Sequence, residues 1–118
     1  MRAAGAVFEQ RACAELQRAG FVLLNRNYTT RHGELDLVML EGGTVVFVEV
    51  RHRLHASHGG AALSVTASKQ ARLIAAAELW LAAHPKRAHQ PCRFDVVSYD
   101  GPSADARMNH WRNAFETC

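Results

Sequence analysis

A chain of 118 residues, 48% hydrophobic and 21% charged, has the composition of one ordinary globular domain, which excludes a disordered or fibrous protein. It holds no run of about 18 apolar residues that would span a bilayer, and Glu9 and Glu15 interrupt its first apolar stretch as no secretory leader would tolerate; a single cytoplasmic domain over residues 1–118 is the expectation. The net charge of +3 favours a polyanionic partner only slightly. In chain order, Phe8, Ala12, Leu16 and Ala19 recur at helical spacing, and Gly20 follows where a left-handed cap would stand, so a first helix is predicted over 6–19. The apolar run Phe21 to Leu24, ending in Asn25-Arg26-Asn27, reads as a first or edge strand. Strands over 33–40 and 45–51 flank Glu41-Gly42-Gly43-Thr44, and paired glycines between β-rich runs favour a type I′ hairpin, whose central residues need positive φ. Residues 52–65 read as a loop bearing Gly, His and Ser. A second helix is predicted from about Ala67 to His84, with Leu73, Ala77, Trp80 and Leu81 on one stripe, Ser64 or Thr66 as N-cap, and Pro85 closing it. The strand Arg93 to Tyr99 follows, Asp100-Gly101-Pro102 turns the chain, and Met108 to Phe115 reads as a short terminal helix. The order α-β-β-β-α-β predicts an α/β fold, a mixed β-sheet flanked by helices.

The hairpin carries the chemistry. A two-residue loop at Gly42-Gly43 makes cross-strand partners sum to 85, which sets Asp36 opposite Glu49 and Glu34 opposite Arg51. Directly opposed β-carbons lie about 4.5–5.5 Å apart, and like charges there destabilise a sheet. The intervening positions Leu35, Leu37, Met39, Val46, Val48 and Val50 are all apolar, so both faces are covered near the middle of the hairpin. Three arrangements relieve the repulsion: a bound cation, one carboxyl that keeps its proton with a raised pKa, or exposure that lets water screen the pair.

Gly33-Glu34-Leu35-Asp36-Leu37-Val38, Val46-Phe47-Val48-Glu49-Val50-Arg51-His52-Arg53, the helix-opening Lys69, and Arg93-Phe94-Asp95-Val96-Val97 together resemble the bacterial UPF0102 (YraN-like) family, over about Gly5 to Phe115. That family is similar to the PD-(D/E)xK nucleases and to archaeal Holliday junction resolvases. The resemblance implies a restriction-endonuclease-like fold in which Asp36, Glu49 and the backbone carbonyl of Val50 bind Mg²⁺ or Mn²⁺, with Glu9 matching a first-helix acidic position. It implies hydrolysis of phosphodiester bonds in nucleic acid, DNA before RNA, and leaves a homodimer open. The signature asks for lysine two residues after the glutamate, where this chain has Arg51. An arginine stays protonated and presents a flat fork, so as a catalytic residue Arg51 can clamp a phosphate or offset developing charge but cannot act as a general base. Weak or absent activity is the expectation. Phe8 stands where the family often has glycine, and Glu9, at the margin of the apolar stripe, also fits an exposed helix glutamate.

Arg31, Arg53 and Lys69, with Arg26, are candidates for the basic rim that a nucleic-acid backbone requires. His52, His55 and His58 recur every third residue, a spacing that fits no strand or helix face and argues for a phosphate-contacting or solvated basic loop over Arg51 to His58, not zinc. Cys13, Cys92 and Cys118 are an odd number without CxxC spacing, and free thiols are expected. Trp80 and Trp111 read as packing residues, and Asp95 is left to pair with Arg93 or a helix end. Three functions compete: a metal-dependent nuclease, a non-catalytic nucleic-acid-binding module on the same fold, and a protein-interaction domain with a vestigial site.

Overall fold

The computed structural model describes residues 3–53, 65–102 and 105–115. Helix α1 spans Ala3–Arg18 and strand β1 Val22–Thr30. Between them Gly20 takes φ 102, with its N–H on Gln17 O and the N–H of Phe21 on Leu16 O, both at 3.0 Å. That pair of bonds closes the helix by satisfying two carbonyls of its last turn, in a conformation that a β-carbon would strain.

Strands β2 (Gly33–Glu41) and β3 (Thr44–Arg53) form the hairpin. Its register runs from Glu41↔Thr44 to Leu37↔Val48, the sum of 85 that a two-residue turn dictates, with Gly42 at φ 58. Helix α2 spans Ala67–Ala83, and the Thr66 hydroxyl accepts from Lys69 N at 3.1 Å as its N-cap. The helix carries the chain over the sheet to β4 (Cys92–Asp100), which pairs parallel to β3; β5 (Arg107–Phe115) then returns antiparallel to β4. The sheet has five strands in the order β1-β2-β3-β4-β5, mixed, with one helix on each face.

The last element corrects the expectation of a terminal helix over 108–115. Strand β4 is buried from Phe94 to Tyr99 and its outer edge would leave backbone donors and acceptors unpaired under a helix. A fifth strand satisfies them, and a left-handed Asn113 (φ 50) shifts the register so that Phe115 still packs on Phe94 at 4.9 Å between ring centroids.

Side chains from alternate strand positions fill two cores. Under α2, Phe47 stacks on Phe94 and meets Trp80 edge-on, joined by Val38, Val45, Leu73, Ala77 and Val96. Under α1, Phe8, Ala12 and Leu16 cover Leu37, Met39, Val46, Val48, Val97 and Tyr99. Trp80 is thus a core residue as expected, while Trp111 on edge strand β5 is exposed. Cys13 is a buried free thiol; Cys92 is disulfide-bonded, which corrects the expectation for that residue. His52 belongs to β3, not to the following loop, and stacks on Phe8 at 4.2 Å, whereas His55 and His58 lie outside the described residues. No helix among the described residues is long and apolar enough to cross a membrane.

Candidate functional site

The regular alternation of β2 fails at one residue. Leu35 packs under α2 and Leu37 under α1, although residues two apart on an ideal strand share a face. The break falls at Asp36. By the register that pairs Arg26 with Leu37 and Tyr28 with Leu35, Asp36 stands opposite Asn27, which has φ 51, a conformation that asparagine tolerates better than most residues. The β2–β3 ladder is regular as far as Leu37↔Val48; beyond it the N–H of Val50 donates to Asp36 Oδ2 at 2.9 Å. The hairpin strands part where a side chain takes over a main-chain hydrogen bond.

Into this fork three acids converge. Glu9 from α1 and Glu34 and Asp36 from β2 each offer a carboxylate oxygen, and these oxygens all lie within 4.8 Å of one another. Glu9 is 5% exposed and Asp36 9%, so the helix position is buried and is not the solvated glutamate that its place on the stripe also allowed. Glu34 Oε2 accepts from the Thr29 hydroxyl at 3.1 Å. Glu49, 6% exposed, meets Asp36 from β3. Burial and then the charge of Glu49 push the Asp36 carboxyl up to about 7, while the Val50 N–H and a hydrogen bond with Glu9 pull the other way. Of the three ways to relieve the opposed carboxylates, screening by water is removed by this burial; a cation and a retained proton remain.

Two cations approach Glu49. Lys69 Nζ lies 3.3 Å from Glu49 Oε2, and Arg51 Nη1 3.8 Å from the same oxygen. The sequence had placed Arg51 against Glu34; it reaches back along β3 to Glu49 instead. Arg53, expected on a basic rim, is held elsewhere: its Nε and Nη2 donate to Asp100 at 2.9 and 3.2 Å. Arg31 is exposed in the turn between β1 and β2. Val50 enters the cluster through its N–H. Glu34 was missed as a member of the site, and its two-residue spacing from Asp36 was the signal available.

A model described as "Uncharacterised protein family UPF0102" matches residues 8–99, a span that contains every acid of the cluster. The chain belongs to the UPF0102 family. Its relatives include a UPF0102 protein of Stutzerimonas stutzeri strain A1501, 51% identical over 98% of this chain and 97% of that one. A UPF0102 protein of Pseudomonas aeruginosa strain LESB58 is 51% identical over 92% of this chain and 88% of its own. One of Pseudomonas putida strain GB-1 is 51% identical over 96% and 93%.

Toward the β5 edge of the sheet this UPF0102 protein carries a second charged network. Asp95, 0% exposed, accepts from Arg93 Nε and Nη2 at 2.9 and 3.1 Å, from the Asn113 N–H at 2.9 Å, and pairs with His110 Nε2 at 2.8 Å. Burial works to raise its pKa, but the bonds from His110, Arg93 and Asn113 outweigh it and hold the carboxyl low. Glu41, bonded by Arg112 and Arg93, is held down to about 2. The pairing of Asp95 with Arg93 was expected; the tie to β5 through His110 and Asn113 was not, because it required β5 to be a strand.

Proposed function

We propose that this protein is a divalent-metal-dependent hydrolase of phosphodiester bonds in nucleic acid, with DNA as the first candidate substrate. The observation that carries the reading is the convergence of buried Glu9 and Asp36 with half-buried Glu34 at a fork in the sheet, with Glu49 against Asp36. Those donors are all hard carboxylate oxygens, which suit Mg²⁺ or Mn²⁺ and do not suit a soft metal. The bound ion would neutralise the cluster and polarise a phosphoryl oxygen and its attacking water.

The protein's own residues supply position and charge. Asp36 is fixed by the Val50 N–H, and Glu34 by the Thr29 hydroxyl, so the ligand oxygens are oriented before any ion arrives. Arg51 and Lys69 bring positive charge to the same edge, where a phosphate backbone needs it. Arg51 in the lysine position of the signature supports a second reading, a nucleic-acid-binding module that retains the fold without the reaction.

Calorimetric titration with Mn²⁺ of wild type and Asp36→Asn, followed by cleavage assays on flap, junction and single-stranded substrates, tests both. Metal binding that is lost in the variant, together with Mn²⁺-dependent cleavage, supports the hydrolase. Salt-dependent nucleic-acid binding without metal binding supports the module. Arg51→Lys is expected to raise cleavage if the guanidinium is what limits it.

A further inference from the structure

We infer that Lys69, delivered by the first turn of α2, is the cation that contacts the scissile phosphate, and that Arg51 is peripheral to that contact. The inference rests on the hydrolase reading above and assigns a residue to its substrate. In the chain, the lysine position of the signature is filled by Arg51 two residues after Glu49; in space, an ammonium stands beside the same glutamate, brought from another element. Lys69 Nζ is the nearer of the two cations to Glu49 Oε2, 3.3 Å against 3.8 Å.

The two cations are also mounted differently. The N–H of Lys69 is held by the Thr66 cap at 3.1 Å, and one turn on, Leu73 is buried against the sheet beside Glu49. Side chains four apart share a helix face, so this anchor aims Lys69 at the edge where Glu49 stands. The positive end of the α2 dipole adds to the field there. Arg51 is carried by β3 beside Glu49 itself, on a long side chain that presents a flat two-pronged fork where Lys69 presents a compact charge. At 36% side-chain exposure, Lys69 remains open to a ligand while touching Glu49.

In hydrolysis, water adds to phosphorus as the bond from phosphorus to the departing sugar oxygen breaks. The hydroxyl stays on phosphorus, its other proton leaves to solvent, and the departing oxygen takes a proton from solvent. Lys69 keeps its protons throughout and offsets charge on a non-bridging oxygen of the phosphate.

The test has one arm that needs no turnover. A fluorescein-labelled hairpin oligonucleotide with phosphorothioate linkages is titrated in Ca²⁺ against wild type, Lys69→Met, Lys69→Arg and Arg51→Met, at several salt concentrations, after thermal melts show that each variant folds. Lys69→Met is expected to weaken binding about 10-fold and to lower the salt slope by about 1. Arg51→Met is expected to weaken it by less than about 3-fold. Equal losses, a larger loss for Arg51→Met, or no binding by wild type overturns the inference. In the second arm, with Mn²⁺, Lys69→Arg is expected to lower kcat about 100-fold with little change in KM; unchanged kcat overturns the catalytic contact. The expected binding pattern with no cleavage by wild type would leave Lys69 as the phosphate contact and defeat the hydrolase reading instead.

Discussion

The protein gathers acids into two groups on its sheet, each built around a buried aspartate, and treats them in opposite ways. Asp95 and Glu41 share Arg93, Arg112, His110 and a backbone N–H, and both carboxyls are held below their ordinary range. Glu9, Glu34, Asp36 and Glu49 gather around a fork where Lys69 and Arg51 approach Glu49, and Asp36 is pushed up to about 7. Buried charge is stabilising where donors match it and costly where they do not. The first group is therefore a staple that holds β5 in place, whereas in the second the burial of Asp36 beside Glu49 raises a carboxyl pKa.

Removing the staple should have the largest effect. Asp95→Ala leaves Arg93 and His110 without their buried partner and is expected to destabilise the protein by about 3–5 kcal/mol in urea denaturation. A loss below about 1 kcal/mol would mean that the network contributes little. Asp36 should respond in the other direction. A carboxyl whose folded pKa is raised stabilises the fold only while protonated, so in the metal-free protein stability present near pH 4 should decline as the pH climbs through 7, by up to about 4 kcal/mol. Asp36→Asn should flatten that decline and melt higher than wild type at pH 8, and Mn²⁺ should raise the wild-type melting temperature at pH 8 but not that of the variant. A wild-type stability that is level from pH 5 to pH 8 would break the contrast between the two groups.

Glu41 makes the opposite pH prediction. Its pKa is depressed, so the stability it contributes is present above about 4.5, its unfolded value, and is lost as the pH falls toward 2. In Arg112→Ala, with half the arginine side chain already exposed, the cost at pH 7 should be below about 1 kcal/mol, and the acid limb of the stability curve should become shallower. Between these sizes lies Thr66→Ala, expected to cost about 1 kcal/mol by uncapping α2. If Lys69 depends on that cap for its aim, the same variant should weaken oligonucleotide binding as well.

Much of the hairpin was readable in advance. Gly42-Gly43 fixes a two-residue turn and the turn fixes a register that runs to Leu37↔Val48; Asp36 and Glu49, the next position on, still meet where the ladder opens. The irregularity that shapes the site was not readable: Asn27 in a left-handed conformation and a break in alternation at Asp36 are compromises between two cores that pull Leu35 and Leu37 to opposite faces. Glu9 was ambiguous because a helix position at the margin of a stripe is buried or exposed according to what packs beside it. Met108 to Phe115 misled because short apolar spacing fits helix and strand alike, and only the open edge of β4 chooses between them.

What the sequence determined by itself is local: two helices with their caps, the hairpin, and the meeting of two carboxylates across it, all set by interactions among residues close in the chain. What tertiary structure decided is long-range. The fifth strand, the burial of Glu9, the membership of Glu34 and the arrival of Lys69 beside Glu49 each depend on an element whose position is fixed by packing and backbone pairing across the fold, and no local pattern encodes those distances.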